Sequence, residues 1–87
     1  MRWSTQVRDG VEGLECAWTL AGFAAIRAAV VDVMDLADRL DHHPEVTFGY
    51  RTLSVRWTTH DCGGISDLDR LAAEATDALI AALTAPA

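Results

Sequence analysis

At 87 residues, the chain has the length of one domain and lies near the lower limit for an independent hydrophobic core. Its net charge of −6, with seven basic residues that form no patch, argues against binding to nucleic-acid phosphates. The apolar run from Leu20 to Val31 is interrupted by Arg27 and is too short to span a bilayer. We therefore expect a single domain over residues 1–87, in the cytoplasm, with no nucleic-acid or membrane partner.

The first twenty residues predict a β-hairpin. Trp3, Thr5 and Val7 alternate with polar neighbours, as in a half-buried strand. Asp9-Gly10 is a typical sequence for a tight hairpin turn. The second strand, antiparallel to the first, is predicted from another alternating apolar set: Leu14, Cys16, Trp18 and Leu20.

From Gly22 to Leu40 the apolar residues change to a spacing of three and four, which predicts a helix. Its polar strip is narrow, so the helix has more apolar surface than one sheet would cover. We expect it to pack on the sheet and also on another copy of the chain, giving a homodimer or a homotetramer. Close approach of two such helices would be allowed by the alanines Ala24, Ala25, Ala28 and Ala29.

The second half of the chain predicts two strands and a closing helix. Pro44 ends the first helix, a short strand covers 45–48, and alternation from Leu53 to Thr58 predicts another strand. Ser66 suits the N-cap of the closing helix. The apolar face of this helix is predicted as Leu68, Leu71, Ala72, Ala75, Leu79 and Leu83. The order β-β-α-β-β-α predicts an α+β fold, a four-stranded antiparallel sheet with helices on one face.

All three histidines fall in two short segments at the ends of predicted elements. His42 and His43 stand where the long helix stops, and His60 follows the last strand. Histidine is suited to proton transfer because its ordinary pKa lies close to physiological pH. Neighbouring carboxylates can fix the tautomer of an imidazole. The acidic residues nearby are Asp38, Asp41, Glu45 and Asp61.

Less specific interpretations of these residues remain open. The histidines can be ordinary solvated loop residues, or the three can form a zinc site. Zinc is disfavoured because adjacent side chains point apart, and no cysteine stands at a matching spacing. Asp69 suits either a capping box with Ser66 or a contact with His60. Cys62 is either a nucleophile or, more simply, a small filler.

The histidine segments resemble the pterin-4a-carbinolamine dehydratases, also called 4a-hydroxytetrahydrobiopterin dehydratases. That family has an acidic residue, three others, His-His-Pro, an aromatic residue, a histidine and a later aspartate. The matching residues here are Asp38, His42-His43-Pro44, Tyr50, His60 and Asp69. The resemblance covers about Trp18 to Ala75, and its fixed spacings make it specific.

The chain also departs from the family pattern. The family has a helix before its first strand tryptophan, whereas Trp3 here follows only two residues, so we expect this first family helix to be missing. Val46 replaces a bulky aromatic residue that the family often has three residues after the second histidine. This replacement is expected to reshape one wall of the pocket.

The resemblance implies a hydro-lyase that dehydrates a 4a-hydroxytetrahydropterin, without a metal or redox cofactor. It implies that His42 and His60 are the acid and base, and that His43 binds and orients the pterin. Asp38 and Asp69 would orient the histidines. The pocket would be lined by Asp41, Pro44, Thr58, Thr59 and Asp61. The alternative is a non-catalytic oligomeric binding or assembly factor resembling a dimerisation cofactor. Such a factor would not need the histidines, so their presence favours the enzyme.

Overall fold

A computed structural model describes residues 2–59 and 63–84. The elements follow the order β-β-α-β-β-α, and their bounds are β1 Ser4–Arg8, β2 Val11–Thr19, α1 Phe23–Leu40, β3 Glu45–Phe48, β4 Thr52–Trp57 and α2 Asp67–Thr84. The strands form one antiparallel sheet with the spatial order β1-β2-β4-β3. The predicted α+β fold is confirmed. Neither described helix has the length and apolar character needed to cross a membrane.

The predicted hairpin is present, with Asp9 and Gly10 forming its two-residue turn. Both residues have positive φ, 51° and 77°, as the type I′ turn of a tight hairpin requires. The predicted half-burial of the first strand is wrong. All five residues of β1 are exposed, and only Trp3, just before the strand, is buried. β1 is an edge strand, and α2 packs over the inner strands β2 and β4 instead.

The inner face of the sheet is built by β2 and β4. Their register pairs Leu14 with Trp57, Cys16 with Val55, and Trp18 with Leu53. These side chains are buried and form the centre of the hydrophobic core. The period-2 pattern predicted for both strands is therefore confirmed.

One side of α1 packs into the core and another side remains exposed. The helix ends at Asp41, whose left-handed conformation (φ 48°, ψ 44°) turns the chain toward the histidines. Phe23, Val31 and Met34 are exposed, so apolar surface is left over after packing on the sheet. The prediction that Ala29 faces a partner is not compatible with its full burial inside the single chain.

The buried face of α2 agrees with the prediction in part, since Ala72 is buried and Ala75 and Leu79 pack against the core. Leu71 and Leu83 are exposed, while the buried positions are Asp69, Ala72, Ala73, Thr76 and Ile80. Small and apolar residues occupy most positions of this helix, so the sequence pattern did not specify one face. The structure instead places two polar side chains, Asp69 and Thr76, against the core.

Candidate active site

His42 lies against Asp69, and this contact brings the end of α1 next to the beginning of α2. The imidazole Nε2 and the carboxylate Oδ1 are 2.6 Å apart. The Asp69 side chain is fully buried, and the His42 side chain is 14% exposed. A histidine held on one edge by a buried carboxylate and still reachable from solvent is a suitable proton-transfer group.

Asp69 is fixed by the start of α2. Its Oδ2 accepts hydrogen bonds from the Ser66 backbone N–H at 2.8 Å and from the Thr59 hydroxyl at 2.7 Å. The Ser66 hydroxyl is within 3.1 Å of the same oxygen. The bond to the Ser66 N–H is the acidic half of a capping box, which was one of the two roles predicted for Asp69. The carboxylate thus caps the helix with one oxygen and contacts His42 with the other.

These contacts determine the charge of Asp69 and the tautomer of His42. Burial raises the pKa of Asp69, but hydrogen bonds from Thr59, His42 and Ser66 outweigh burial and hold the pKa below its ordinary value of 3.8. The carboxylate is therefore ionised at neutral pH and can only accept hydrogen bonds. The His42 Nε2 must then carry the hydrogen, which leaves Nδ1 as the nitrogen that can take or give a proton.

The face of the His42 ring lies against Trp57. The two rings are stacked, with centroids 5.5 Å apart and an angle of 19° between their planes. Trp57 is fully buried, and its indole N–H donates to the Thr76 hydroxyl at 3.1 Å. Sequence reasoning placed Trp57 in the core but did not connect it to the histidines, because its alternation pattern indicates burial and nothing more.

His43 has a different environment from its neighbour. Its side chain is 67% exposed, and its Nε2 is 3.9 Å from an oxygen of Asp38, which exceeds hydrogen-bonding distance. His43 lines a cavity of about 170 Å³ between α1 and β3, together with Asp38, Pro44 and Val46. It also borders a second cavity, of about 160 Å³, that contains Arg8, Glu45, Arg56 and Thr58.

The remaining predicted residues are distributed around this site. Asp41 is exposed at the end of α1. The Thr58 hydroxyl donates to the Glu12 backbone carbonyl at 2.6 Å, and Thr59 belongs to the Asp69 network. The predictions for His60, Asp61 and Cys62 lie outside the described residues.

Within residues 2–59 and 63–84, no three histidine, cysteine, aspartate or glutamate side chains converge in a way that could hold a metal ion. His42 and His43 are adjacent, yet one contacts Asp69 and the other lies near Asp38. The zinc alternative also requires His60, so its exclusion stays a prediction.

The family model for "Pterin 4 alpha carbinolamine dehydratase" matches residues 1–79. The chain belongs to this family. A Marinobacter nauticus relative is 36% identical over 77 residues, which are 88% of this chain and 69% of the relative. A Bradyrhizobium relative is 38% identical over 76 residues, which are 87% of this chain and 76% of the relative. Both carry the name "Putative pterin-4-alpha-carbinolamine dehydratase".

Two solved structures of the pterin dehydratase type share the fold. A Brucella melitensis protein described as a transcriptional coactivator/pterin dehydratase aligns with a TM-score of 0.79 and 28% identity, covering 91% of this chain and 82% of that one. A pterin dehydratase-like protein identified as a RuBisCO assembly factor in the α-carboxysome aligns with a TM-score of 0.77. Its identity is 20%, over 92% of this chain and 90% of that one, so it supports the fold alone.

Proposed function

We propose that the protein dehydrates a 4a-hydroxytetrahydropterin to a quinonoid dihydropterin and water. In this reaction the C4a–O bond breaks, the leaving oxygen gains a proton, and the ring nitrogen N5 loses one. An acid and a base are therefore needed on the same substrate, and both must work near neutral pH. Histidine side chains meet this requirement without a metal or a redox cofactor.

The observation that carries this proposal is the contact between His42 and Asp69. A buried, ionised carboxylate at 2.6 Å fixes the tautomer of the imidazole and stabilises the imidazolium that forms during proton transfer. His42 is thus suited to exchange a proton with the pterin through Nδ1. We assign His60 as its partner in acid/base catalysis, and we leave open which histidine is the acid.

His43 is proposed to bind and orient the pterin. Its exposed ring and the neighbouring cavity, with Pro44 and Val46 in its walls, are suited to contact with a planar heterocycle. Asp38 would orient His43 from the last turn of α1. Asp41, Thr58, Thr59 and Asp61 complete the proposed surroundings of the substrate.

The test uses absorbance to measure the rate at which enzymatically generated 4a-hydroxytetrahydropterin is dehydrated. The purified protein should accelerate the reaction over the protein-free rate. Replacing both His42 and His60 with alanine should abolish the acceleration and leave the circular dichroism spectrum unchanged, since one proton-transfer group typically contributes about 10²–10⁴-fold. His43→Ala should instead raise KM. Full activity of the double variant would contradict the mechanism.

The second candidate function is an oligomeric binding or assembly factor without catalysis. The observation in its favour is the exposed apolar side of α1, which offers a contact surface independent of the histidines. A protein acting only in this way would give no acceleration in the dehydration assay. It would also tolerate alanine at His42 and His60.

We further propose that the chain forms a homodimer or homotetramer through α1 and works in the cytoplasm. Exposed Phe23 stacks on exposed Tyr50, with ring centroids 6.2 Å apart, and lies 6.3 Å from the ring of Phe48. This aromatic cluster continues the apolar surface formed by Val31 and Met34. A second copy of the chain that presents the same surface would cover it across a two-fold axis.

A further inference from the structure

Thr76 is a polar residue in the middle of the core, and its hydroxyl both donates and accepts a hydrogen bond. It lies on the buried face of α2 and is fully buried. Its hydroxyl donates to the Ala72 carbonyl at 2.7 Å and accepts the Trp57 indole N–H at 3.1 Å. A buried indole N–H without a partner is costly, so Thr76 determines which way the Trp57 ring can face.

The oriented Trp57 ring in turn restricts His42. The hydrogen bond to Asp69 holds one atom of the imidazole but still permits the ring to rotate about that contact. The indole face, stacked at 5.5 Å and 19°, removes this remaining freedom. The edge and the face of His42 are therefore held by two separate contacts.

Both contacts depend on α2. Asp69 and Thr76 are seven residues apart, which is about two turns of an α-helix, so they lie on the same face. Asp69 reaches His42 directly, while Thr76 acts through Trp57. This arrangement gives a reason for a threonine at a position where an apolar residue would otherwise fill the core.

We infer that Trp57, held by Thr76, is a positioning residue for His42 in the proposed dehydration. The inference rests on the proposed function for its effect on rate, because a misaligned proton-transfer group slows the chemical step. Its structural content is independent of catalysis: the indole fixes the plane of the imidazole. The rate and the ring geometry can therefore be measured separately.

Nuclear magnetic resonance of the histidine ring protons measures the geometry. Protons stacked over an indole are shielded, and the exposed neighbour His43 supplies an unstacked reference in the same molecule. We expect the His42 ring protons to be shielded relative to those of His43. Trp57→Leu should remove this shielding, and Thr76→Val should reduce it, because the indole N–H would lose its acceptor. Thr76→Ser keeps the hydroxyl and should retain the wild-type spectrum.

The kinetic measurement uses the same variants. Trp57→Leu should lower kcat about 10- to 100-fold with little change in KM, because the binding groups around His43 are untouched. Trp57→Phe keeps an aromatic face without the N–H and should retain more activity than Trp57→Leu. It also remains informative if the leucine variant fails to fold.

Unchanged His42 shielding in folded Trp57→Leu, or in Trp57→Phe and Thr76→Val if the leucine variant is unfolded, would overturn the inference. Equal losses of kcat in Thr76→Ser and Thr76→Val would also count against it. An inactive wild-type protein that still shows the shielded His42 would refute the proposed function, while the ring geometry would stand. The two failures are thus distinguishable.

Discussion

His42 and Asp69 are separated by 27 residues in the chain, yet their side chains make a contact of 2.6 Å. The contact joins the end of one helix to the first turn of the other. It is also where the helix cap and the proposed catalytic group share one carboxylate. The effects expected for substitutions of Asp69, on catalysis and on stability in acid, both depend on these two roles of its carboxylate.

Replacing Asp69 with asparagine should lower kcat by at least about 100-fold. The Thr59 hydroxyl and the Ser66 N–H both donate to Oδ2, so the amide oxygen of asparagine would take that position. The amide NH2 would then face His42 and force the other tautomer. Steady-state kinetics of the dehydration reaction measures the effect.

Asp67→Asn is the matched control for this substitution. Asp67 lies two residues earlier, in the same first turn of α2, and is fully exposed; among the described residues its ion pair is a surface contact with Arg70. The control removes the same charge from the same helix end and should leave kcat within about twofold of wild type. Equal losses in the two variants would show that helix-end charge, and not the contact with His42, controls the rate.

Acid should destabilise the protein partly through Asp69. Because the pKa of Asp69 is lowered in the folded state, its contribution to stability is present above the unfolded-state value near 3.8 and is lost as the pH falls through the folded-state value. Urea unfolding at a series of pH values from about 6 to about 2 measures this loss. The free energy of unfolding should fall less steeply below about pH 4 in Asp69→Asn than in wild type or Asp67→Asn. Parallel curves for all three proteins would contradict this assignment.

Chelation should leave activity unchanged, and the purified protein should hold no stoichiometric zinc. The His42 Nε2 is already committed to Asp69, and the adjacent His43 lies in a separate, exposed environment. Elemental analysis before and after dialysis against a chelator measures the metal content. A stoichiometric metal ion lost together with activity would require a different mechanism.

A charge on the exposed side of α1 should dissociate the proposed oligomer. Met34 is 59% exposed, so Met34→Glu leaves the core of the single chain intact. A charge at Ala29 would instead enter the core, because this residue is fully buried. Light scattering at micromolar concentration should show a larger assembly for wild type and a mass near 9.4 kDa for the variant.

Leu71→Glu is the control for assembly, since Leu71 is a similarly exposed apolar residue on the other helix. It should leave the assembly intact if α1 provides the contact. A mass near 9.4 kDa for the wild-type protein would mean that it is a monomer, and this result alone would refute the assembly proposal.

Local patterns in the sequence predicted most of the fold because they have local physical causes. Alternation of apolar residues was sufficient to predict β2 and β4, and the Asp9-Gly10 sequence was sufficient to predict the hairpin turn. The apolar spacing of three and four was sufficient to predict α1. The burial of β1 was mispredicted because it depends on where the helices lie over the sheet. The buried face of α2 was predicted only in part because alanines and leucines occur around most of its circumference.

The clustering of histidines located the candidate site, but its internal contacts could not be read from the chain. Asp69 was assigned either to the helix cap or to a contact with His60, and the structure shows that it serves the cap and contacts His42 instead, while His60 lies outside the described residues. The stacking of Trp57 on His42 joins two residues whose patterns indicate a core strand and a helix end. Such a contact arises from tertiary packing and has no signature in residue spacing.

α2 follows α1 and the sheet in chain order, and it carries Asp69 and Thr76, so the contacts that hold His42 require this helix to have formed. During synthesis, the histidine segment after α1 leaves the ribosome well before Asp69 and Thr76 do. A nascent chain can therefore contain the sheet and α1 but lack the carboxylate that fixes the tautomer of His42. The carboxylate contact that fixes His42 is thus made only once α2 has packed beside the end of α1.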